Sequence, residues 1–361
     1  MGIPCFPANG KAHNQSVLGV LDSERTIIVD AMGGDHGPSV CVEGAVQAIL
    51  ESPREFQVIL VGDEPKLREA LATHSLNGSR IDVCHAPDVI QMHEPASEGM
   101  RRKDSSIRVA MRLLKDGVGS AVVSVGNTGA VMAAGLADLG RLAGVSRPAI
   151  ASRFPTVNGA SLMLDVGANP VCKVQNFVEF AVMGSVFVEG VTGKERPRVA
   201  LLSIGEEPSK GTDLTLAAHQ TLSDLPLNFI GNIEGRDVLT GRADVIVCDG
   251  FVGNIVLKFA ESLRGFLETS VRRQISSNKF SHLGAILMGP FLRRMRGTFD
   301  YAEYGGAPLL GLDGLCMICH GASSAKAIKN AIWATSASVE HHVKDRMVEA
   351  LANLRSVGAH A

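Results

Sequence analysis

The chain has 361 residues, a hydrophobic content of 45% and a formal net charge of −2. A charge so near zero provides no general attraction for nucleic acid. With one Trp and two Tyr, the chain is also poorly suited to surfaces on which bases or sugars stack. Seven scattered cysteines are typical of a reduced, cytoplasmic setting, and no run of 18 apolar residues predicts a membrane-spanning helix.

Residues 1–24 lack the apolar core of a secretory signal, and we interpret them as a flexible N-terminal extension. From there to residue 361 we expect a single α/β domain. β-branched and apolar runs predict strands at 27–29, 56–61, 80–85, 120–124, 149–152, 161–164, 198–204, 227–230, 244–247 and 315–318. Helical spacing predicts helices over 39–52, 65–75, 106–115 and 174–188. It also predicts a helix that ends near 142, helices that begin at 212 and 254, and a long helix from 323 into the 350s.

Strands alternating with helices predict right-handed βαβ units and a mostly parallel sheet. The strands at 149–152 and 161–164 are too close together for a crossover helix between them. We therefore expect these two to form an antiparallel pair inserted in the sheet.

Five predicted strand ends carry glycine beside Asp, Asn or Lys: 30–35, 126–129, 165–169, 205–211 and 249–254. Ligands of open parallel sheets bind outside the carboxyl ends of the strands, so we expect these segments to line one common pocket. Glycines let backbone N–H groups approach a ligand closely, which suits a small anion such as phosphate. Each segment taken alone is also compatible with a tight turn that binds nothing.

The acids of these segments would repel a phosphate unless cations balance them. Lys210 is the most specific candidate, because it lies in a glycine-flanked strand-end loop just before a helix. The other candidates are Arg101, Arg102, Lys103 and Lys173, and an isolated Arg-Arg-Lys run is usually a solvated face.

The segment from Cys316 to His320 has the C-x-x-C-H spacing of c-type haem attachment. We expect neither haem nor zinc, because no export signal and no second ligand pair are evident. Cys316 and Cys319 should face opposite sides of a strand. No cofactor or metal is predicted, and His320 is expected to face the pocket.

The stretch from Arg272 to Arg296 contains six Lys or Arg and no acid, interleaved with large apolar residues. This pattern is typical of an interfacial segment that contacts anionic headgroups. Burial in a homodimer is the competing interpretation. The candidate contact residues are Arg272, Arg273, Leu287, Phe291, Arg293 and Arg294.

Together these motifs resemble the bacterial phosphate acyltransferase family (PlsX), which converts acyl-acyl-carrier-protein and inorganic phosphate to acyl phosphate. The resemblance extends from about Ile27 to the C-terminal helix, with matching motifs at 30–35, 101–103, 126–130, 165–169, 249–254, 304–307 and 320–321. It implies a homodimeric three-layer α/β/α sandwich, related to the isocitrate dehydrogenase and phosphate acetyltransferase folds, with a protruding amphipathic helical tip at 255–300. It also implies peripheral membrane contact and transfer of the product to a membrane glycerol-3-phosphate acyltransferase for phospholipid synthesis.

The resemblance gives Lys210 and Asn254 as the catalytic pair. Phosphate is already a nucleophile and a thioester is activated, so orientation and charge stabilisation matter more than a strong base. We expect Lys210 to aim the phosphate and Asn254 to donate to the thioester oxyanion. The substrate-binding candidates are Gly33, Gly34, Asp35, Asn127, Thr128, Asp165, Asn169, Asp249, Gly253 and His320. A basic surface, either Arg272 and Arg273 or Arg101 and Arg102, should meet the acidic carrier protein.

Two other function classes remain open from the sequence. An oxidoreductase of the same fold would need a metal-ligand cluster of acids and a nucleotide fingerprint, neither of which is evident. A non-catalytic module that senses phosphate or lipid would not require Lys210 and Asn254 to converge.

Overall fold

The structure is a computed structural model that describes residues 25–52, 55–74, 80–275, 288 and 305–358; the predicted extension, 1–24, lies outside them. In this part of the chain eleven strands form one sheet, in the order β3-β2-β1-β4-β11-β10-β5-β6-β9-β7-β8. The strands are β1 (Thr26–Asp30), β2 (Gln57–Gly62), β3 (Ile81–His85), β4 (Ala121–Ser124), β5 (Ala149–Thr156), β6 (Gly159–Leu164), β7 (Val199–Leu202), β8 (Phe229–Ile233), β9 (Val245–Val247), β10 (Ala307–Leu310) and β11 (Leu315–Ile318).

The described helices mostly begin at polar capping residues. The side chains of Asn127, Thr212 and Ser324 each accept a hydrogen bond from a backbone N–H of the first turn, which is the usual N-cap arrangement. The helices are α1 (Pro38–Glu51), α2 (Glu64–Ala72), α3 (Glu98–Arg101), α4 (Ser106–Lys115), α5 (Thr128–Asp138), α6 (Val174–Thr192), α7 (Asp213–Ser223), α8 (Gly250–Ile275), α9 (Ala325–Glu340) and α10 (Val343–Gly358).

Two apolar cores lie on the two faces of the sheet. Alternate residues of β1 divide between them: Ile27 and Val29 pack with α1, α6 and α9, whereas Ile28 packs with α4 and α5. Because successive strand residues point to opposite faces, an all-apolar strand such as this one must be covered on both sides. The expected three-layer α/β/α architecture is therefore confirmed.

The antiparallel pair is also confirmed, and it is longer than predicted. β5 and β6 pair from Ala151 with Leu164 to Thr156 with Gly159, leaving a two-residue turn. A strand that the sequence did not predict, β10, pairs antiparallel with both β11 and β5. Three consecutive antiparallel steps separate β11 from β6, so β6, β7, β8 and β9 run opposite to β1, β2, β3, β4 and β11.

The prediction of one long C-terminal helix from Ser323 is wrong. The chain breaks between α9 and α10, where His342 adopts a positive φ of 49°. A residue in this left-handed region ends a helix. The apolar spacing continues across the break through Val343, Met347 and Leu351, which are all buried, so periodicity did not reveal it.

Helix α6 is the one described helix that length and apolar composition would allow to cross a membrane. Two-thirds of its apolar window, 67%, is buried in the protein. Phe177 and Phe180 are fully buried between the sheet and the neighbouring helices. Its composition is explained by this central position in the core.

An ion-pair cluster fixes the start of β9 to the start of β7. The Asp244 carboxylate accepts hydrogen bonds from Lys194 Nζ at 2.7 Å, from Arg198 Nε at 3.0 Å and from the Arg198 backbone N–H at 2.8 Å. Burial alone would raise the pKa of Asp244, but the hydrogen bonds from Arg198 and Lys194 lower it to about 2. The native state therefore favours the carboxylate more strongly than the unfolded chain does.

We expect Asp244→Asn to lower the free energy of unfolding at pH 7 by about 2 kcal/mol, since one pKa unit corresponds to about 1.4 kcal/mol. A carboxyl group whose pKa is lowered in the native state stabilises the protein at pH values above its unfolded pKa of 3.8. That stabilisation is lost as the pH falls towards 2. Urea unfolding at pH 7 and pH 3 should therefore show the difference between the two proteins narrowing at pH 3. An equal difference at both pH values would contradict this assignment.

Candidate active site

The five glycine-containing strand ends, together with the segment 320–321 that follows β11, form two separate groups. The segments 30–35, 126–129 and 320–321 follow β1, β4 and β11, and we call them the β1 group. The segments 165–169, 205–211 and 249–254 follow β6, β7 and β9, and we call them the β7 group. Because the two sets of strands run in opposite directions, the groups leave the sheet by opposite edges. The prediction that all five segments line one pocket is wrong within a single chain.

The loops of the β1 group hold one another. The Asp35 N–H donates to the Gly321 carbonyl at 2.8 Å, and Gly33 packs directly on the backbone of Gly126. Both ends of the Asn127 amide are engaged, because it caps α5 and donates to two carbonyls of the loop before α3. The predicted binding residues at this edge are Gly33, Gly34, Asp35, Asn127, Thr128 and His320, of which Asp35, Thr128 and His320 are exposed.

Asp30 of the β1 group, and two cysteines in and just after β11, lie in the core. Asp30 is fully buried and accepts the Ser124 hydroxyl at 2.6 Å, and burial raises the pKa of its carboxyl group. Cys316 and Cys319 lie in the apolar cores on opposite faces of the sheet, as predicted. Burial raises the pKa of both thiols to about 12, so they stay protonated at neutral pH. These groups are buried beneath the loops and do not line their exposed surface.

Among the candidate cations, Arg102 is already balanced by carboxylates. Its guanidinium pairs with Asp88 at 3.2 Å and with Glu98 at 3.3 Å, and it also contacts Glu94. Arg101 reaches Glu98 at 3.6 Å but stays 76% exposed. Lys103 and Lys173 are also exposed.

In the β7 group, Asp165 organises its own loop. Its buried carboxylate accepts N–H donors from Gly167, Ala168 and Asn169 at 2.5–3.2 Å, and from Ile150 at 3.1 Å. Burial raises the pKa of Asp165, and these hydrogen bonds oppose that rise. Asn169 is 4% exposed, and its side-chain N–H group donates to the Asp165 carboxylate and to the Pro148 carbonyl. In this structure both side chains shape the loop from within.

The first turn of α8 is docked on that loop. The Asp249 carboxylate accepts the Val252 N–H at 2.9 Å and so caps the helix. Gly253 approaches so closely that an added Cβ would lie 1.9 Å from the Asp165 carbonyl oxygen, which only glycine permits. The helix begins at Gly250, four residues before its predicted start, and the exposed Asn254 is held beside Gly167.

Lys210 lies in a loop whose backbone is well fixed. Its N–H donates to the Glu207 carbonyl at 3.0 Å, and its carbonyl accepts the Ser203 hydroxyl at 3.1 Å. Its side chain is exposed, and its ammonium group makes no hydrogen bond or ion pair with the described residues. The neighbouring Glu206 pairs with Arg242 at 2.9 Å, and hydrogen bonding to that guanidinium lowers the pKa of Glu206. The positive charge of Lys210 therefore remains available.

The structure brings the predicted catalytic pair to one edge of the sheet. β7 and β9 are adjacent parallel strands, with Leu201 opposite Val247. Neighbouring strands are about 4.8 Å apart, so the loops that carry Lys210 and Asn254 leave the sheet side by side.

Sequence reasoning missed an apolar component of this edge. Val171, Ile204 and Phe251 are 79%, 81% and 62% exposed, and each lies within or directly beside one loop of the β7 group. Large apolar residues inside otherwise polar, glycine-rich loops were the available signal. Together the three loops offer a cation, an amide and hydrocarbon surface.

A family model described as fatty acid synthesis protein matches residues 25–346. The chain belongs to this family. Its relatives include the phosphate acyltransferase of Heliobacterium modesticaldum, 51% identical over 88% of this chain and 94% of the relative. The phosphate acyltransferase of Geobacter sulfurreducens is 50% identical over 90% and 93%. The resemblance seen in the motifs is thus confirmed, and family membership makes the chain an acyltransferase that uses phosphate.

Solved structures confirm the fold. A phosphotransacetylase from Streptococcus pyogenes superposes with a TM-score of 0.60 at 18% identity, over 89% of this chain and 95% of that one. The EutD phosphotransacetylase from Staphylococcus aureus gives 0.58 at 19% identity, over 88% and 96%. The predicted relation to phosphate acetyltransferases therefore holds at the level of architecture.

The predicted helical tip is described only in part. Leu287, Phe291, Arg293 and Arg294 lie outside the described residues, as does the side chain of Arg272. Arg273 is exposed on α8.

Proposed function

We propose that the protein transfers a fatty acyl group from acyl-acyl-carrier-protein to inorganic phosphate, giving acyl phosphate for phosphatidic acid synthesis. The observation that carries the proposal is that the ammonium group of Lys210, which has no ion-pair partner among the described residues, lies on the loop adjacent to the one that exposes the amide of Asn254. A phosphate dianion needs a cation to bind and orient it. A thioester carbonyl under attack needs an N–H donor for its developing oxyanion.

In this reaction an oxygen of hydrogen phosphate bonds to the thioester carbonyl carbon, and the C–S bond breaks. The carrier thiolate leaves and takes up the proton released from hydrogen phosphate, so that acyl phosphate and carrier thiol are formed. Lys210 neutralises and aims the phosphate, which reduces the entropic cost of bringing the reactants together. Asn254 donates from its side-chain N–H to the oxyanion.

A long hydrocarbon substrate is supported by the apolar side chains at the same edge. Val171, Ile204 and Phe251 are large apolar side chains, and each exposes more than half of its surface. An acyl chain lying on them would cover that surface and gain roughly 25 cal/mol for each Å² buried. The β1 group lies at the opposite edge of the sheet, and its exposed Asp35, Thr128 and His320 stay predicted substrate-binding residues.

The test is direct. The purified protein is incubated with acyl-acyl-carrier-protein and phosphate, and acyl phosphate is trapped with hydroxylamine. We expect a phosphate-dependent acyl hydroxamate that requires the carrier-bound donor. A protein that binds phosphate but yields no hydroxamate would be a sensing module, and the proposal would fail.

We further propose a homodimeric cytoplasmic enzyme that contacts anionic membranes and acidic carrier protein, and that passes its product to a membrane glycerol-3-phosphate acyltransferase. Helix α8 supports a partner surface, since Ile255, Phe259 and Phe266 are 53–66% exposed along it. Basic and apolar residues together favour anionic lipid.

Flotation with anionic vesicles tests the membrane contact, with Leu287→Glu as the variant expected to stay in the soluble fraction. If the unmodified protein does not float, the membrane contact is excluded. Sedimentation measures the expected dimer mass. Carrier docking is tested by charge reversal at Arg273, which should raise the KM for carrier protein.

A further inference from the structure

We infer that Asn232 is a positioning residue that holds the Lys210 loop in its working geometry, and that His219 locks Asn232 in turn. The inference depends on the proposed role of Lys210. It is based on a defect in the pairing of β7 with β8 and on two hydrogen bonds that connect this defect to the loop.

The pairing of β7 with β8 contains a bulge. Val199 lies opposite Phe229, but Leu201 lies opposite Asn232, so β8 has one more residue than β7 between these pairs. Gly231 within the bulge has a φ of +89°, a left-handed conformation that favours glycine. A bulge redirects the next side chain, and bulges are common beside active sites. Here it turns Asn232 inward, where the residue is 3% exposed.

The redirected side chain fixes the loop from outside. Asn232 Nδ2 donates to the Glu207 carbonyl at 3.0 Å. The same carbonyl accepts the Lys210 N–H, also at 3.0 Å. One oxygen thus joins the core of the protein to the residue that presents the ammonium group. Without the Asn232 donor, the turn from Glu207 to Lys210 would keep its bond to the Ser203 hydroxyl but would lose its connection to β8.

His219, on α7, sets the direction of the Asn232 amide. Its Nδ1 lies 2.9 Å from Asn232 Oδ1, which can only accept, so the ring must donate from Nδ1. Phe229 packs edge-on against the ring with centroids 5.2 Å apart, which restricts its rotation. With Oδ1 occupied by the histidine, Nδ2 must point at the Glu207 carbonyl. The connection therefore runs from α7 through β8 to Lys210.

The first test replaces Asn232 by aspartate, which has the same shape but offers an oxygen where the loop needs an N–H. We expect kcat/KM for phosphate in the hydroxylamine assay to fall about 10- to 100-fold, as misplacement of a reacting group commonly does. The matched control is Asn228→Ala, since Asn228 also donates to a backbone carbonyl, that of Arg196, but away from the loop. The control should retain the activity of the unmodified protein.

The second test uses rescue at His219. Asparagine can place an N–H near the position of Nδ1, whereas leucine cannot donate. We expect His219→Leu to lower kcat/KM for phosphate and His219→Asn to restore most of it. Loss of thermal stability without rescue would indicate a merely structural histidine and would overturn the inference.

A third readout does not require turnover. Acetic anhydride modifies exposed lysines, and phosphate bound at Lys210 should protect this residue, as measured by peptide mass spectrometry. We expect Asn232→Asp to raise the phosphate concentration for half-protection about tenfold or more. If Lys210→Ala abolishes activity but Asn232→Asp behaves as the unmodified protein, the inference fails and the proposed function stands. If Lys210→Ala is fully active, the proposed role of Lys210 fails and the inference fails with it, whereas the proposed function fails only if the unmodified protein forms no acyl hydroxamate.

Discussion

Replacement of Lys210 by alanine is expected to lower kcat/KM for phosphate by about 10³-fold, since removal of a single transition-state charge contact typically costs 10²–10³-fold. The loss should appear partly as a higher KM for phosphate, because the ammonium group attracts the dianion before the reaction begins. The expectation rests on the free ammonium group. Of the two acids in its loop, Glu206 is already paired with Arg242, and Glu207 forms no ion pair with Lys210 in the described part of the chain. Initial rates over a range of phosphate concentrations would measure both parameters.

Two variants make the Lys210 result interpretable. Lys210→Arg keeps the charge but changes its geometry, so phosphate affinity should be largely preserved while kcat falls. Lys66→Ala removes an exposed lysine of α2 that pairs with Asp63, and it should leave activity unchanged. Near-normal turnover by Lys210→Ala would remove this residue from the reaction.

Local patterns predicted most of the secondary structure. The β-branched run from Ile27 to Val29 is a buried strand, and glycine-rich turns follow the strands as expected. The antiparallel β5–β6 pair followed from the short link between its strands, which leaves no room for a crossover helix. These features depend on neighbours in sequence, and sequence reasoning succeeds there for that reason.

Strand direction across the whole sheet depends on distant residues. β10 has the sequence Ala-Pro-Leu-Leu, which lacks β-branched residues and contains a proline, so it gave no strand signal. It pairs antiparallel with both β11 and β5, and because these two reversals cancel, β5 runs in the same direction as β11. The antiparallel β5–β6 pair then reverses β6 and the strands parallel to it, and this reversal divides the expected single pocket into two groups of loops.

Lys210 and Asn254 could be proposed from the sequence as a catalytic pair because each residue lies in its own strand-end motif. The residues that hold the Lys210 loop in place could not be predicted from the sequence. Asn232 reaches the loop only because the bulge at Gly231 redirects it, and His219 comes from the preceding helix. Neither residue stands in a recognisable pattern, since their contacts arise from register and helix docking.

Replacement of Asn254 by alanine should lower kcat about 10²- to 10³-fold, the usual cost of losing one oxyanion donor, and leave the KM for phosphate nearly unchanged. This split should distinguish Asn254 from Lys210, because the oxyanion exists only as phosphate attacks. Stability should change little, since the Asn254 side chain is exposed and Asp249 and Gly253 independently fix the start of α8.

An isosteric change tests whether N–H donation is the function of Asn254. Asn254→Asp keeps the shape of the side chain but replaces the donor with a carboxylate oxygen, which would repel an oxyanion. We expect a loss of kcat at least as large as that for alanine, with an unchanged melting temperature. Gln47→Ala, which removes an amide from the surface of α1, should have no effect on either quantity. If aspartate instead supported near-normal turnover, donation by Asn254 would be excluded, and the loop of Gly167, which faces it, would be the next place to seek the oxyanion donor.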